Sequence, residues 1–219
     1  MPDTVPSPGG VPALDRIVGA AERLFAGRGF DGVAISDVAR QAGVCKANVF
    51  HHFATKQALY DAVLTRSCEA LGEEIERHLS AEADPALQVP HFLVWYHDYL
   101  CAHPATARLV FREVTGNPDL AESGPVLPVL SRLFDNVVAH VRAARDAGVF
   151  RADADPTVVA SLMLGVTLFN SQTARLRPHM PSWRGISDET YVDRLTDVLM
   201  RGVRAVDANA VSGIRNDTT

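Results

Sequence analysis

Apolar residues recur through this 219-residue chain with the 3.6-residue period of a helix, and no run shows the period of two that a half-buried strand requires. That periodicity restricts the fold class to all-α. Gly and Pro punctuate the periodic runs and mark their ends. An arm with four prolines in its first 12 residues is expected to be loose. Leu14, Ile17, Val18, Ala21, Leu24 and Phe25 then fall on one helical stripe, which Gly27 and Gly29 close. A short helix carrying Ile35, Val38 and Ala39 stops at Gly43, and a third runs from about Lys46 to Phe53. A longer helix starts behind Thr55, a good N-cap, and buries Leu59, Val63 and Leu71. Further helices are expected over 86–102, 105–115, 126–147, 156–177 and 188–207, with Asp155-Pro156 as a strong start signal. Gly213 to Thr219 reads as a frayed tail.

Composition narrows the functional classes. No stretch has the roughly 20 apolar residues of a membrane span. The best candidate, Val158 to Phe169, is interrupted by Ser161, Gly165 and Thr167. The N-terminus lacks a basic-then-apolar signal pattern, so a cytoplasmic protein without a membrane partner is expected. Cys45, Cys68 and Cys101 are odd in number and show no C-x-x-C spacing, which suits a reducing compartment. With few aromatics, Ala, Val and Leu should carry most of the packing. The net charge of −5 is unevenly spread. Residues 1–10 contribute −1, residues 11–66 +2 (seven basic, five acidic), and residues 67–219 −6 (14 basic, 20 acidic). The only two lysines, Lys46 and Lys56, both lie in the positive segment.

That segment contains ISDVARQAGVCKANVFHHFATK, Ile35 to Lys56. Two short helices joined at Gly43 are the parts of a helix-turn-helix, and Ala39 is small enough to let them cross closely. Val44 precedes the cap position Cys45, and Val49 stands where a hydrophobic staple would hold it. At 100° per residue Lys46, Ala47, Phe50 and His51 share one arc of about 140°, while Val49 and Phe53 lie off it. The arc offers a cation, a small residue and flat rings to a groove. Lys46 suits guanine or phosphate oxygens, and Asn48, at the edge of the arc, suits adenine. Lys56 opens a helix whose N-terminus attracts phosphate.

Residues 14–64 resemble the DNA-binding domain of the TetR family of bacterial regulators. The resemblance rests on LFAGRGFDG, ISDVARQAGV and CKANVFHHFATKQALYDAVL. It implies an all-helical homodimer with a small N-terminal reader and a larger C-terminal domain for ligand binding and dimerisation. Its motif positions assign DNA contact to Lys46, Ala47, Asn48, Phe50, His51 and Lys56, and to Ser36 on the preceding helix. Three positions depart from the family pattern. Ala34 replaces a Thr or Ser and can neither cap nor donate to phosphate. Phe50 replaces a Tyr and loses its hydroxyl. Cys45 replaces a Ser cap and should cap more weakly. The expected division is an arm at 1–12, the reader at 13–64, an effector and dimerisation domain at 65–208, and a tail at 209–219.

Several other residues suit both a specialised role and a simpler one. Cys45 beside Lys46 at a helix start suits a redox switch, although a tolerated cap substitution explains it better. His97 and Cys101 share a helical face and resemble half of a metal site, but no second pair completes it. His51 and His52 are adjacent and diverge on a helix, so DNA contact explains them better than metal. Phe92, Trp95, Tyr96 and Tyr99, with Phe111, Phe134 and Phe169, are individually ordinary core. Within the resemblance, Trp95, Tyr96, Tyr99, Phe111, Phe134 and Phe169 become candidates for lining an effector cavity suited to an apolar or aromatic small molecule. Tyr191, Leu195, Val198, Leu199, Gly202 and Val206 repeat at near-heptad spacing, and the preceding helix carries Val159, Leu162, Met163, Val166 and Phe169. These stripes suit either internal packing or a subunit interface. The interface, with Leu162, Val166, Tyr191, Leu195, Val198, Leu199 and Gly202 as candidates, is the expectation. No phosphate loop, nucleophile elbow or H-E-x-x-H motif is present, so no enzyme, cofactor or metal is expected. The expectation is a dimeric repressor of a palindromic operator, released by a small-molecule effector. The alternatives are a DNA-binding regulator without such a ligand and, more remotely, a helical enzyme.

Overall fold

In the computed structural model, which describes residues 11–116 and 126–204, the chain is built from α-helices, with no strand among those residues. Helix α1 spans Ala13–Arg28, α2 Ile35–Ala42, α3 Lys46–His52 and α4 Lys56–Ala81. They are followed by α5 (Pro85–Ala102), α6 (Pro104–Gly116), α7 (Leu127–Asp146), α8 (Pro156–Thr173) and α9 (Asp188–Val203). Two 3-10 turns, Ala174–His179 and Pro181–Trp183, link α8 to α9.

Side-chain caps fix several of the helix starts. The Thr55 hydroxyl accepts from the Ala58 N–H at 3.0 Å, and Asp84 accepts from Ala86 at 2.9 Å. Asp155 accepts from Thr157 and Val158 at 2.8 and 3.1 Å, with Pro156 behind it as the first helical residue. Each such cap contributes about 1 kcal/mol. The stops differ more from expectation. Helix α8 ends at Thr173, four residues early, because Pro178 and Pro181 lack the N–H that a continuing helix needs. Helix α9 ends at Val203, and Arg204 instead forms an isolated antiparallel bridge with Phe150. The expected residues 205–207 of that helix, residues 1–10 of the arm and the tail at 209–219 lie outside the described residues. Leu14, placed on the buried stripe by its period, is 42% exposed, because it stands at the outer start of α1.

The core consists of two apolar clusters. One gathers α1, α2, Val49 and the first half of α4, and receives Leu109 and Val110 from α6 and Val126 and Val129 from the start of α7. The other gathers Leu71, Ile75 and Leu79 with α5, α7, α8 and Met200. Helix α4 belongs to both, with Leu59 to Cys68 in the first cluster and Leu71 to Leu79 in the second. Residues 64 and 65 are therefore consecutive positions inside one 26-residue helix. As few aromatics are available, Ala, Val and Leu supply most of both clusters.

Polar contacts tie α1 and α4 to α6 and to each other. Arg112 on α6 donates at 3.0 Å to the carbonyl of Phe25 near the end of α1, which also accepts from the Gly29 N–H at 2.9 Å. Tyr60 donates to Glu113 at 3.1 Å in a buried pair. Burial and the Glu113 carboxylate push the Tyr60 phenol well above its ordinary range. Arg66 on α4 pairs with Asp15 on α1 at 2.8 Å.

Candidate nucleic-acid interface and effector cleft

The turn between α2 and α3 is set by one glycine. Gly43 has φ 65° and ψ 38°, the left-handed conformation that costs other residues most. Around it the Val44 N–H donates to Ala39 at 3.0 Å and the Gly43 N–H to Arg40 at 3.3 Å. This pair of bonds is a Schellman motif, with Val44 folded back against the core. Neither Ala34 nor Cys45 supplies a side-chain cap to the helix that follows it, so both departures from the family pattern leave an uncapped start.

Helix α3 has one fully buried side chain, Val49, and Phe53 just beyond it packs against the same cluster. Lys46, Ala47, Phe50, His51 and His52 are exposed. Phe50 is 44% exposed, and the Lys46 ammonium lies 5.6 Å from the centre of its ring. Ser36 is exposed on α2. Two expected residues are less free. Asn48 is half-buried, and its Oδ1 is buried without a hydrogen-bond partner, so the amide is turned partly inward. Lys56 is half-buried, with its ammonium 4.2 Å above the Phe30 ring. That cation–π contact was not legible from the motif, because Phe30 and Lys56 are brought together only by the packing of α1 against α4. Asp37 on α2 pairs with Arg40 and with Arg28, whereas neither lysine has an acidic partner among the described residues.

The aromatic candidates divide between two clefts. An apolar cleft of about 510 Å³ is lined by Leu71 of α4, Tyr96 of α5, Val110 and Val114 of α6, Leu130, Leu133 and Phe134 of α7, and Leu164 and Leu168 of α8. Besides Tyr96, its polar lining residues are Ser131, Asp135 and Ser161, and no Lys, Arg or His takes part. Trp95 and Tyr99 instead line a second cleft of about 750 Å³ among α1, α4, α5 and α6. Phe111 is half-buried and lines neither cleft. Phe169 is 58% exposed on α8 and also lines neither, because its helical phase points it away from the bundle. The leucines of α7 and α8 were missed among the cleft residues. Their three- and four-residue spacing marks a helical stripe but does not reveal that the stripe borders a void.

Other candidates remain isolated. The Cys101 sulfur lies 3.8 Å from His97 Nε2, yet no group of three His, Cys, Asp or Glu suited to a metal occurs among the described residues. Cys68 is buried, which with the nearby Glu113 and Glu69 pushes its thiol up to about 12. Cys45 and Cys101 are exposed.

Helices α8 and α9 bury only part of their apolar stripes. Val159, Met163, Val192 and Met200 are inside, while Val158, Leu162, Phe169 and Val198 are 56%, 45%, 58% and 67% exposed. Val166, Tyr191, Leu195 and Leu199 are half-buried, and Gly202 is exposed with nothing close to where a Cβ would stand. Val206 lies outside the described residues. Internal packing thus leaves a large apolar share of both helices in water.

Comparison with known proteins agrees with this geometry. Residues 17–63 match the model for bacterial regulatory proteins of the tetR family. The HTH-type transcriptional regulator EthR of Mycolicibacterium smegmatis is 24% identical over 193 residues, covering 85% of this chain and 84% of that protein. Among solved structures, the putative transcriptional regulator SCO4942 of Streptomyces coelicolor superposes with TM-score 0.70 at 22% identity, over 88% of this chain and 98% of its own. The transcriptional regulator FadR of Bacillus subtilis, solved with stearoyl-CoA, gives TM-score 0.72 at 14% identity, over 87% of this chain and 100% of its own. No helix among the described residues is long and apolar enough to cross a membrane. Residues 17–63 thus match the reading head of the tetR family, and over most of its length the chain is similar to a transcriptional regulator.

Proposed function

We propose that the chain is a cytoplasmic homodimeric repressor that holds a palindromic operator through α3 and releases it when an apolar small molecule enters the cleft between α4 and α8. The observation that carries the DNA reading is the outward face of α3, where Lys46, Ala47, Phe50 and His51 stand in water while Val49 anchors the helix behind them. Lys46 and Ala47 suit base edges, the Phe50 ring suits a thymine methyl, and His51 suits phosphate. Ser36 reaches the same groove from α2, and Asn48 needs only a small turn of its amide to join them. Lys56, steadied over Phe30, meets the backbone as a positioning charge. The exposed apolar residues of α8 and α9 suit a two-fold interface, since a self-complementary patch closes a dimer. Such a dimer presents two α3 helices to successive major grooves, about 34 Å apart or a multiple of it. The chain is given no catalytic role and no cofactor.

Effector control follows from what the apolar cleft touches. Its walls include Leu71 on α4 and Val110 and Val114 on α6. Helix α6 carries Arg112 and Glu113, which hold the end of α1 and Tyr60. Helix α4 starts four residues after α3 ends. A ligand that spreads α6 from α8 therefore tilts the reader through these two bonds, and operator and effector weaken each other by the same factor. FadR of Bacillus subtilis, a structural neighbour, was solved with stearoyl-CoA, which supports ligand control in this fold. Hydroxyl-radical footprinting on DNA upstream of the chain's own coding region tests the reading. Two protected patches one or two helical turns apart are expected, and they should fade with an apolar compound that raises the melting temperature. Protection without a two-fold pattern contradicts the dimeric reader.

A further inference from the structure

The cleft among α1, α4, α5 and α6 has a chemistry unlike the apolar one. Its wall on α5 is a run of rings: Trp95 and Tyr99 have centroids 5.4 Å apart, and Tyr99 stacks on His103 at 4.1 Å. The His78 ring backs Trp95 at 4.7 Å. His103 is fixed in place because its Nδ1–H donates to the Tyr99 carbonyl at 2.9 Å. Facing this wall from α1 is Glu22, half-buried and held, among the described residues, by the hydroxyls of Ser67 and Thr106 at 3.5 and 3.3 Å. Served by two long neutral bonds, this half-buried carboxylate has no counter-charge among the described residues. Its closeness also helps burial raise the Tyr99 phenol. Glu73 and Asp98 add negative charge to the lining. The one guanidinium there, Arg66, is committed to Asp15.

Aromatic faces opposite an uncompensated carboxylate form an environment that attracts an organic cation and repels an anion, since ring quadrupole and carboxylate act in the same sense. We propose that this cleft binds an aromatic organic cation, in a site separate from the apolar cleft and seated where α1 of the reader meets α5 and α6. The ammonium or phosphonium centre lies toward Glu22, and its aryl groups lie against Trp95 and Tyr99. Because the walls come from both the reader and the core, occupancy changes how α1 is held.

The test needs no DNA, so its outcome is independent of the regulatory reading. In the Trp183→Phe chain, Trp95 is the sole tryptophan and its fluorescence reports on the cleft. The probes are tetraphenylphosphonium and tetraphenylborate, which share a shape and differ in the sign of charge. Saturable quenching by the phosphonium is expected, with the borate binding at least about tenfold more weakly. Glu22→Gln should weaken the phosphonium about tenfold, and Asp98→Asn, at an exposed position that leaves the fold intact, about threefold. Equal affinity for the two ions, no quenching by either, or parental affinity in both variants overturns the proposal. If Glu22→Gln does not fold, the Asp98→Asn chain decides it.

Discussion

Helix α3 buries one side chain, Val49, whereas α5 buries six: Val89, Phe92, Leu93, Tyr96, His97 and Leu100. The helix proposed to meet DNA contributes little to holding itself in place. It is kept there by a turn at one end, a single apolar peg in the middle and the Thr55 cap just past its far end. Helix α5 is the reverse, since nearly every turn is fixed by buried neighbours, and its half-buried Trp95 and Tyr99 line a cleft among the helices and not an outer face. Recognition and stability are thus carried by different residues. Exposed positions on α3 can change what is bound without changing whether the chain folds, and buried positions on α5 can do the opposite.

The largest effect that separates the two regions is expected at Phe92, which is fully buried in the second cluster. Phe92→Ala should lower unfolding free energy by about 3–5 kcal/mol through lost burial and a residual cavity. Well below its lowered melting temperature, the variant should bind DNA with nearly parental affinity; denaturant titration and fluorescence anisotropy measure the two. At the turn the effects should appear together. Gly43→Ala places a Cβ in the left-handed region at a cost of about 1–2 kcal/mol. The added atom meets nothing closer than Arg16 Nη1 at 3.6 Å, so strain and not collision is the cause. Because that turn aims α3, operator affinity should fall by more than the stability loss explains. The smallest effect is a gain. Cys45→Ser supplies the missing oxygen at the start of α3 and should stabilise the reader by about 0.5–1 kcal/mol, read as a raised denaturation midpoint.

The same contrast explains what could be read from residue order. The reader is specified by signals within a few positions of each other: Gly43 after Ala39, Val49 four residues beyond Cys45, and Thr55 three before Ala58. Local geometry suffices to turn those into a helix-turn-helix with a known outward face. The limits of that logic show at Asn48 and Lys56, whose surroundings depend on long-range packing. In the core the helices themselves were legible from their period, and Asp155-Pro156 marked its start correctly. The clefts were not. Trp95, Tyr96 and Tyr99 lie within five residues, yet Tyr96 faces one void while its two neighbours face another, since 100° per residue sends them to different sides of α5. Phe169 was drawn into the cavity set by its ring alone, and its helical phase turns it outward. Where a void opens depends on which helices fail to touch, and periodicity in one helix carries no record of that.

The most direct test is operator binding by Lys46→Ala and Phe50→Ala chains, measured beside their denaturation midpoints. Both side chains are exposed, so the unfolding free energy of each should stay within about 0.5 kcal/mol of the parent. Operator affinity should nonetheless fall by about 1–3 kcal/mol for each, with Lys46→Ala also relaxing base preference. Unchanged affinity in both chains, or losses that simply track a fall in stability, would contradict the assignment of α3 as the surface that reads DNA.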